Sequence, residues 1–537
     1  MSRVSLVYND GFRWVKENNI SFKGYFFDQN GKFFTDSGAI SLFREIDSKD
    51  ALLSLMRELD GAFSVIIQLE KHVLIGVDAM SMFSLYYIPT AEGWLISDSA
   101  HVTAKNLPEL RLNAEAVPEF QLAGFVLGKE TLFRDVFKSQ AGEVLLLQDD
   151  GGLQRSCYHY YLPSRFYAAQ PEHLTERLID ILHGVSNRLI ASLRGKTAVI
   201  PLSGGYDSRL IATMLKKANY RDVICFTYGK PNNESMLSQK AAERLGIPWI
   251  FIDYRDIDPQ AYLEDPLFRN YCDQLGNATS MPFLQEFFAV KHMQDRGLIP
   301  DDAIFIPGHT GDYIAGSYVE KTIRKKNDRE DRPKAIARKY FGFRPQTGHD
   351  RKHLTDRLGK WFTDYSMPEA IGDARYDVYT EDWDLKEKFS KFVFNAAGVF
   401  PFFGYEYRLP LWDREFRDFF REVPFSVRSY KLLYDRVLEE AFFKPQGVYF
   451  GDQELKERSG DLRMQQLRKF LRPFIPGHVR ERRMIERDYL LYHTFTGAMK
   501  KEMTDKGIVL PSGINHFNAI ICHWYVMKTN EFAQLPR

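Results

Sequence analysis

The chain has 537 residues, with 72 Lys and Arg against 71 Asp and Glu and a formal net charge of +1. So even a balance gives no field to recruit nucleic acid or an anionic membrane surface, and no apolar run reaches membrane-spanning length. An apolar share of 44% over this length suits two or more packed cores.

The first 160 residues or so read as β-rich. Ala62–Ile67, Val73–Val77, Leu85–Ile88, Trp94–Ser97 and Glu143–Leu147 are short apolar runs separated by polar or Gly-containing turns, and Asp149-Asp150-Gly151-Gly152 is a strong turn signal. Leu174, Leu178, Ile181, Leu182 and Val185 then recur at helical spacing, which predicts an amphipathic helix near 173–194. From residue 197 strands and helices alternate: strand 197–200, a loop and then a helical pattern at Leu210, Ile211, Met214 and Leu215, strand 223–228, a helix near 234–245 and strand 249–252. That alternation implies a parallel sheet with its ligand at the carboxyl ends of the strands.

The stretch from about 320 to 390 is charged and helix-prone, with a basic start at Lys321, Arg324, Lys325 and Lys326, and reads as an insertion or lid. The tail after 455 is also charged and helical, with Arg480, Arg482 and Arg483 close together. Both basic clusters read as solvated helix faces rather than nucleic-acid sites. Cys157, Cys225, Cys272 and Cys522 are scattered without a CxxC pair, and charge begins at Arg3 with no apolar leader. A cytoplasmic, reducing setting is therefore expected.

Pro201-Leu202-Ser203-Gly204-Gly205-Tyr206-Asp207-Ser208 lies between a strand and a helix. Small residues there let backbone N–H groups approach an anion, with the helix dipole in support. Ser203 and Ser208 add donors, and Asp207 suits a magnesium ion held against phosphate oxygens. Gly195-Lys196-Thr197 only imitates a kinase-type phosphate loop, since it precedes the strand and Ile190 replaces the first glycine. The 201–208 segment resembles the SGGxDS loop of ATP-pyrophosphatases, which cleave ATP to AMP and pyrophosphate.

Further segments make nearly the whole chain resemble the asparagine synthetase family. Leu59–Ile67, Asp78, Leu85-Tyr86-Tyr87, Gly128–Phe133 and Gly142-Glu143 are similar to that family's glutaminase domain. Phe226-Thr227-Tyr228-Gly229 is similar to its adenine-seating strand end, and Glu234 stands where an acidic residue is frequent. Gly308-His309-Thr310-Gly311-Asp312 resembles the SGEGxDE loop, and Glu406–Asp413 the ExRxPFLD segment. The resemblance implies an α/β protein: a β-rich N-terminal nucleophile-hydrolase-like αββα domain over 1–165, then a parallel-sheet ATP-pyrophosphatase domain over 166–537 with a helical insertion near 320–390.

It also implies site roles. Leu202, Ser203, Gly204, Gly205, Tyr206, Asp207, Ser208, Thr227, Tyr228 and Gly308 would bind ATP, with Asp207 and Asp312 on Mg2+. The family's RxKxGF segment is not found intact, which leaves Lys431 and Lys444 as candidates to neutralise pyrophosphate. His309 replaces a glutamate or tyrosine of the family. It is either a proton acceptor oriented by Glu406 or a ring that hydrogen-bonds its own loop. Phe283, Phe287, Phe402, Phe403 and Tyr405 shape a pocket or, by default, form core.

In the family's glutaminases a cysteine follows Met1, whereas here the residue is Ser2. The RGPD and NGEI segments that clamp glutamine have no counterpart before residue 60. A structural, glutaminase-dead domain is expected over a serine glutaminase. The whole reading is an ATP-dependent amide-forming ligase. It joins a carboxylate-bearing small molecule or peptide to an amine or to ammonia, the latter free or from a separate ammonia-supplying protein, and a homodimer is compatible with it. The alternatives are a glutamine-hydrolysing asparagine synthetase, a β-lactam- or lasso-peptide-type intramolecular ligase, and a non-catalytic ATP-binding scaffold.

Overall fold

The computed structural model describes residues 2–168, 170–317, 332–365, 367–371, 377–451, 485–511 and 516–534, with single residues 482 and 514. The N-terminal part contains two sheets. One has the order β1-β8-β7-β9, formed by Arg3–Ser5, Gly93–Ser97, Tyr86–Thr90 and Phe137–Lys138. The other runs β11-β10-β6-β5-β3-β2, formed by Leu153–Cys157, Glu143–Gln148, His72–Val77, Asp60–Gln68, Ile20–Phe27 and Val15–Glu17, with β4 (Phe33–Thr35) on β3.

Alternation along these strands builds the layers. Ile66, Ile75, Val77, Leu145 and Leu147 of the larger sheet pack against Tyr87, Trp94 and Ile96 of the smaller one. The opposite face of the larger sheet (Phe22, Phe26, Phe63, Val65) is covered by α1 (Asp36–Ile40) and α2 (Lys49–Glu58) through Ile40, Leu52 and Met56. On the far side of the smaller sheet lies α3 (Ala100–Ala104). Helix, sheet, sheet, helix is the αββα order expected from the sequence.

Strand β3 gave no usable sequence signal, because Lys23 and Gly24 interrupt its apolar run. Lys23 is nevertheless buried, donates to Tyr8 O at 2.7 Å and lies beside the Trp14 and Phe83 rings.

The third sheet is parallel throughout, in the order β14-β13-β12-β15-β16: Trp249–Asp253, Val223–Gly229, Ala198–Pro201, Ile304–Phe305 and Glu406–Tyr407. Helices α6 (Tyr206–Lys217) and α7 (Asn233–Leu245) pack on it, and α5 (Pro171–Leu193) packs on α6. β12 is an apolar Ala-Val-Ile run buried on both faces, as a central parallel strand must be. The helix expected near 173–194 and each 197–252 element appear within a few residues of their predicted bounds.

Two expectations change. The described helices Arg332–Tyr340 and Gly348–Asp364 pack into a core and are not wholly solvated faces. Ile336, Phe341, Leu354, Leu358 and Trp361 bury against Leu122, Phe125 and Leu127 beside α4 (Ala116–Ala123), on the N-terminal half. Apolar spacing at helical period, hidden among many charges, put them into a core. Likewise the closing helix Phe517–Ala533 is largely buried, from Ala519 to Tyr525 without a break. Lys321, Arg324, Lys325, Lys326, Arg480 and Arg483 lie outside the described residues. The four cysteines are free, and three of them are buried.

Candidate active site

A cleft of about 520 Å³ opens at the carboxyl ends of β12, β13 and β15. The strand order reverses between β12 and β15, the point at which such sheets open a crevice. Gly205 caps α6 from extended backbone (φ −74°, ψ 174°) and supplies no side-chain oxygen. The first N–H groups of α6 are thus left to a ligand, and the helix dipole favours an anion. The loop braces itself: Ser203 N–H donates to Ser208 Oγ at 3.0 Å, and Gly205 N–H donates to Ser203 Oγ at 3.2 Å. A Cβ on Gly204 would lie 3.2 Å from Glu234 Cα, so the loop rests on the start of α7.

The loop after β15 touches this one directly. A Cβ on Gly308 would lie 2.8 Å from Ser208 N, and one on Gly311 would lie 2.7 Å from Asp207 Oδ2. Thr310 between them has φ 74°, a costly conformation for a β-branched residue. Its hydroxyl donates to Leu411 O at 3.2 Å and contacts His309 O, which holds the turn.

This contact brings the two predicted metal carboxylates together. Asp207 Oδ2 accepts the Asp312 N–H at 2.8 Å, and Asp207 Oδ1 accepts the Tyr434 hydroxyl at 2.9 Å. Burial, followed by the charge of Asp312, pushes Asp207 up to about 7. Among the described residues no group of three or more His, Cys, Asp or Glu forms a metal site. Two carboxylates do fit magnesium, which takes its remaining ligands from phosphate oxygens and water. A divalent cation between them would remove the repulsion that raises Asp207.

Of the two lysine candidates, only Lys431 lines the cleft. It follows Tyr430 in a tight turn (φ 60° and 59°), pairs with Asp435 at 3.2 Å and favours the ionised form of Asp207. Lys444 is instead exposed and pairs with Glu440, outside this cleft. Nothing in RSYKLL or FFKPQG distinguishes the two; the left-handed turn at 430–431 does.

His309 lines the cleft, and burial lowers its imidazole to about 4, so the ring is neutral near pH 7. Its Nδ1 has no hydrogen-bond partner among the described residues, and Phe394 meets the ring edge-on at 6.4 Å. Glu406 does not orient it. β16 pairs Glu406 with Ile304, at the start of β15 and the opposite end of the strand from His309. There Glu406 binds Arg408 at 2.7 Å, Arg194 at 2.9 Å and Lys196 at 3.7 Å. These cations hold its carboxyl below the usual range against the opposing effect of burial.

Thr227 and Tyr228 form the wall beyond the loop. Thr227 donates to Leu202 O at 2.7 Å and accepts the Trp249 indole N–H at 2.9 Å. Tyr228 stacks on Tyr254 at 5.4 Å and donates to Glu286 Oε1 at 2.8 Å. Sequence reading missed Glu286, which lines the cleft, is pushed up to about 7 by burial, and has a buried Oε2 with no hydrogen-bond partner among the described residues. Its neighbours in sequence carry no motif, so only chain topology brings it here. Phe283 lines the cleft, whereas Phe287, Phe402, Phe403 and Tyr405 are core.

The reversal point, the glycine-serine loop on α6 and the contact of Asp207 with Asp312 place the cleft in an α/β fold at the carboxyl ends of a parallel sheet. Residues 192–385 match the asparagine synthase family model. No curated protein matches it. Among solved structures, an NH3-dependent NAD synthetase from Campylobacter jejuni aligns at 15% identity over 38% of this chain and 100% of that one, with a TM-score of 0.19. Glutamine phosphoribosylpyrophosphate amidotransferase from B. subtilis aligns at 12% identity over 45% of this chain and 73% of that one, also with a TM-score of 0.19.

Proposed function

We propose that the protein is an ATP-dependent amide-forming ligase. The observation that carries this is the meeting of Asp207 and Asp312 beside the open N-terminus of α6, which offers a metal site and an anion site in one cleft. In the proposed reaction a substrate carboxylate attacks the α-phosphorus of ATP and pyrophosphate leaves. A nitrogen nucleophile, either ammonia or an amine, then displaces AMP from the acyl carbon. Magnesium supplies charge neutralisation of the phosphates when bound by Asp207 and Asp312. The N–H groups of α6, Ser203 and Ser208 hold the departing pyrophosphate, Lys431 offsets its charge, and Leu202, Thr227 and Tyr228 seat the base. These groups act by position and preorganised charge.

His309 has a role different from a base matched to neutral pH. With its imidazole near 4, the ring is a neutral hydrogen-bonding group that orients the acyl carbon or the incoming nitrogen. The region over 1–165 reads as a glutaminase-dead domain of structural function. Ser2 is buried, its hydroxyl donates to Asp149 Oδ1 at 2.8 Å, and its oxygen accepts Trp94 N–H at 3.2 Å. Both faces of the hydroxyl are thus engaged in holding the sandwich.

Incubation with Mg-ATP and a panel of carboxylates, followed by AMP and pyrophosphate detection, tests the ligase. Carboxylate-dependent AMP formation is expected, and its absence across the panel favours the scaffold alternative. In the same samples glutamine should release no ammonia, and Ser2-dependent release would overturn the structural reading of the first domain.

A further inference from the structure

A second cavity, of about 120 Å³, lies where the β-sandwich meets the parallel-sheet half. β9 forms part of its wall. Tyr87 and Phe137 are cross-strand partners whose rings pack inside the sandwich at 6.0 Å. The adjacent pair, Tyr86 and Lys138, must point the opposite way, because successive side chains of a strand alternate faces. Both line the cavity. The other half contributes Asn277, Thr279, Ser390 and Lys391, so the site exists only where the two halves meet.

Lys138 is 4% exposed, and no described residue pairs with its amine. The other two lysines of the cavity are engaged. Lys391 donates to Val126 O, Gly128 O and Glu387 Oε2 at 2.8, 2.7 and 2.6 Å, which accounts for its three protons. Lys23 donates to Tyr8 O.

The carboxylates around Lys138 are engaged as well. Glu387 also accepts the Trp361 indole N–H, Glu143 binds Arg155, and Asp78 accepts backbone N–H groups of Phe63, Met80 and Met82. Asp98 accepts from Val7, Tyr8 and Trp14, while Asp10 lies at the exposed rim. Burial, with Lys391 nearby, pushes the Lys138 amine down to about 7.

An unpartnered buried amine is costly to keep charged, and an anion that enters the cavity reverses that cost. Phosphate sites gather Arg forks or helix N-termini. This cavity has neither, but it does have hydroxyls on Ser81, Ser84 and Tyr86 beside the Lys138 amine. We propose that this cavity binds a small organic carboxylate of amino-acid size, anchored on the ammonium of Lys138. The inference does not depend on the reaction in the cleft.

Titration calorimetry of the full chain at pH 8, in two buffers of different ionisation enthalpy, tests it with succinate, L-glutamate and inorganic phosphate as probes. One equivalent of succinate or L-glutamate should bind saturably and take up a proton, since Lys138 is largely neutral beforehand and ionises when paired. Lys138→Met should weaken that binding at least about tenfold, about 1.4 kcal/mol, and abolish the proton uptake. Unchanged affinity in this variant, no carboxylate binding by the wild type, or binding of phosphate alone each overturns the proposal. If Lys138→Met fails to fold, Ser84→Leu, which fills the cavity, decides: lost binding supports the site and retained binding overturns it.

Discussion

Asp207 concentrates the chemistry of the cleft in one side chain. Its folded value of about 7 stands above the ordinary carboxyl value of 3.8. Between those values the folded state holds the proton that the unfolded state has lost, so this residue costs stability progressively as pH rises from about 4 to 7. Asp207→Asn removes that cost and keeps an acceptor for Asp312 N–H, while its amide NH2 can donate to the Tyr434 oxygen in place of accepting from it. The variant should melt no lower than wild type at pH 8 and should show a flatter stability profile between pH 5 and 8, read by thermal unfolding. Its pyrophosphate release should fall about a hundredfold or more, as when a preorganised charge-stabilising group is removed. His309→Ala should also lower turnover. Because the ring titrates near 4, the wild-type pH–rate profile should carry no histidine inflection near 6.5; one that vanishes in the variant would contradict the neutral-ring role. The sequence marked both residues through their motifs but missed Glu286, which reaches the cleft only because a helix entry happens to lie opposite Tyr228.

At the scale of elements, the site depends on the contact between α6 and the loop after β15. Gly308→Ala would place a methyl group 2.8 Å from Ser208 N and push the loops apart, with overpacking of this kind costing about 1–3 kcal/mol. A lower melting temperature together with loss of carboxylate-dependent AMP formation is expected. Retained activity would mean that the loops need not touch. The strands and helices of 197–252 were legible because β12 is uniformly apolar and α6 and α7 repeat at helical period. β3 was not, since a buried lysine and a glycine break its pattern, and Glu406 was placed at the wrong end of the sheet because a motif gives order along the chain but not which end of a strand a side chain occupies. The wide helical stretch Asp384–Val393 was also opaque. It buries Lys386 with Asp382 and Lys391 with Glu387, a charged pattern that looks solvated in sequence.

Across the whole molecule the halves are tied by buried ion pairs as well as by apolar core. Arg417, at the start of the 414–422 helix, pairs with Asp60 of β5 at 2.9 Å, and Asp60 also accepts Arg414 N–H at 2.8 Å. Arg417→Ala would leave Asp60 and Asp413 without that neighbour in a buried setting, where loss of one partner costs about 3–5 kcal/mol. Both halves should lose stability together in one calorimetric transition, because apolar residues of the sandwich such as Tyr86 and Leu95 share a core with β12 and α6. Two separated transitions would show that the halves fold independently. By itself the sequence determined the fold class, the alternation around the parallel sheet, the nucleotide-type loop and the two carboxylates. Each of those is written in local spacing, where side-chain period and small-residue loops act over a few positions. The tertiary structure decided which lysine enters the cleft, that Glu406 leaves it, that Glu286 joins it, and that Lys138 stands alone at the junction. Those depend on which strand ends and helix faces meet across hundreds of residues, which the packing of the two halves alone sets.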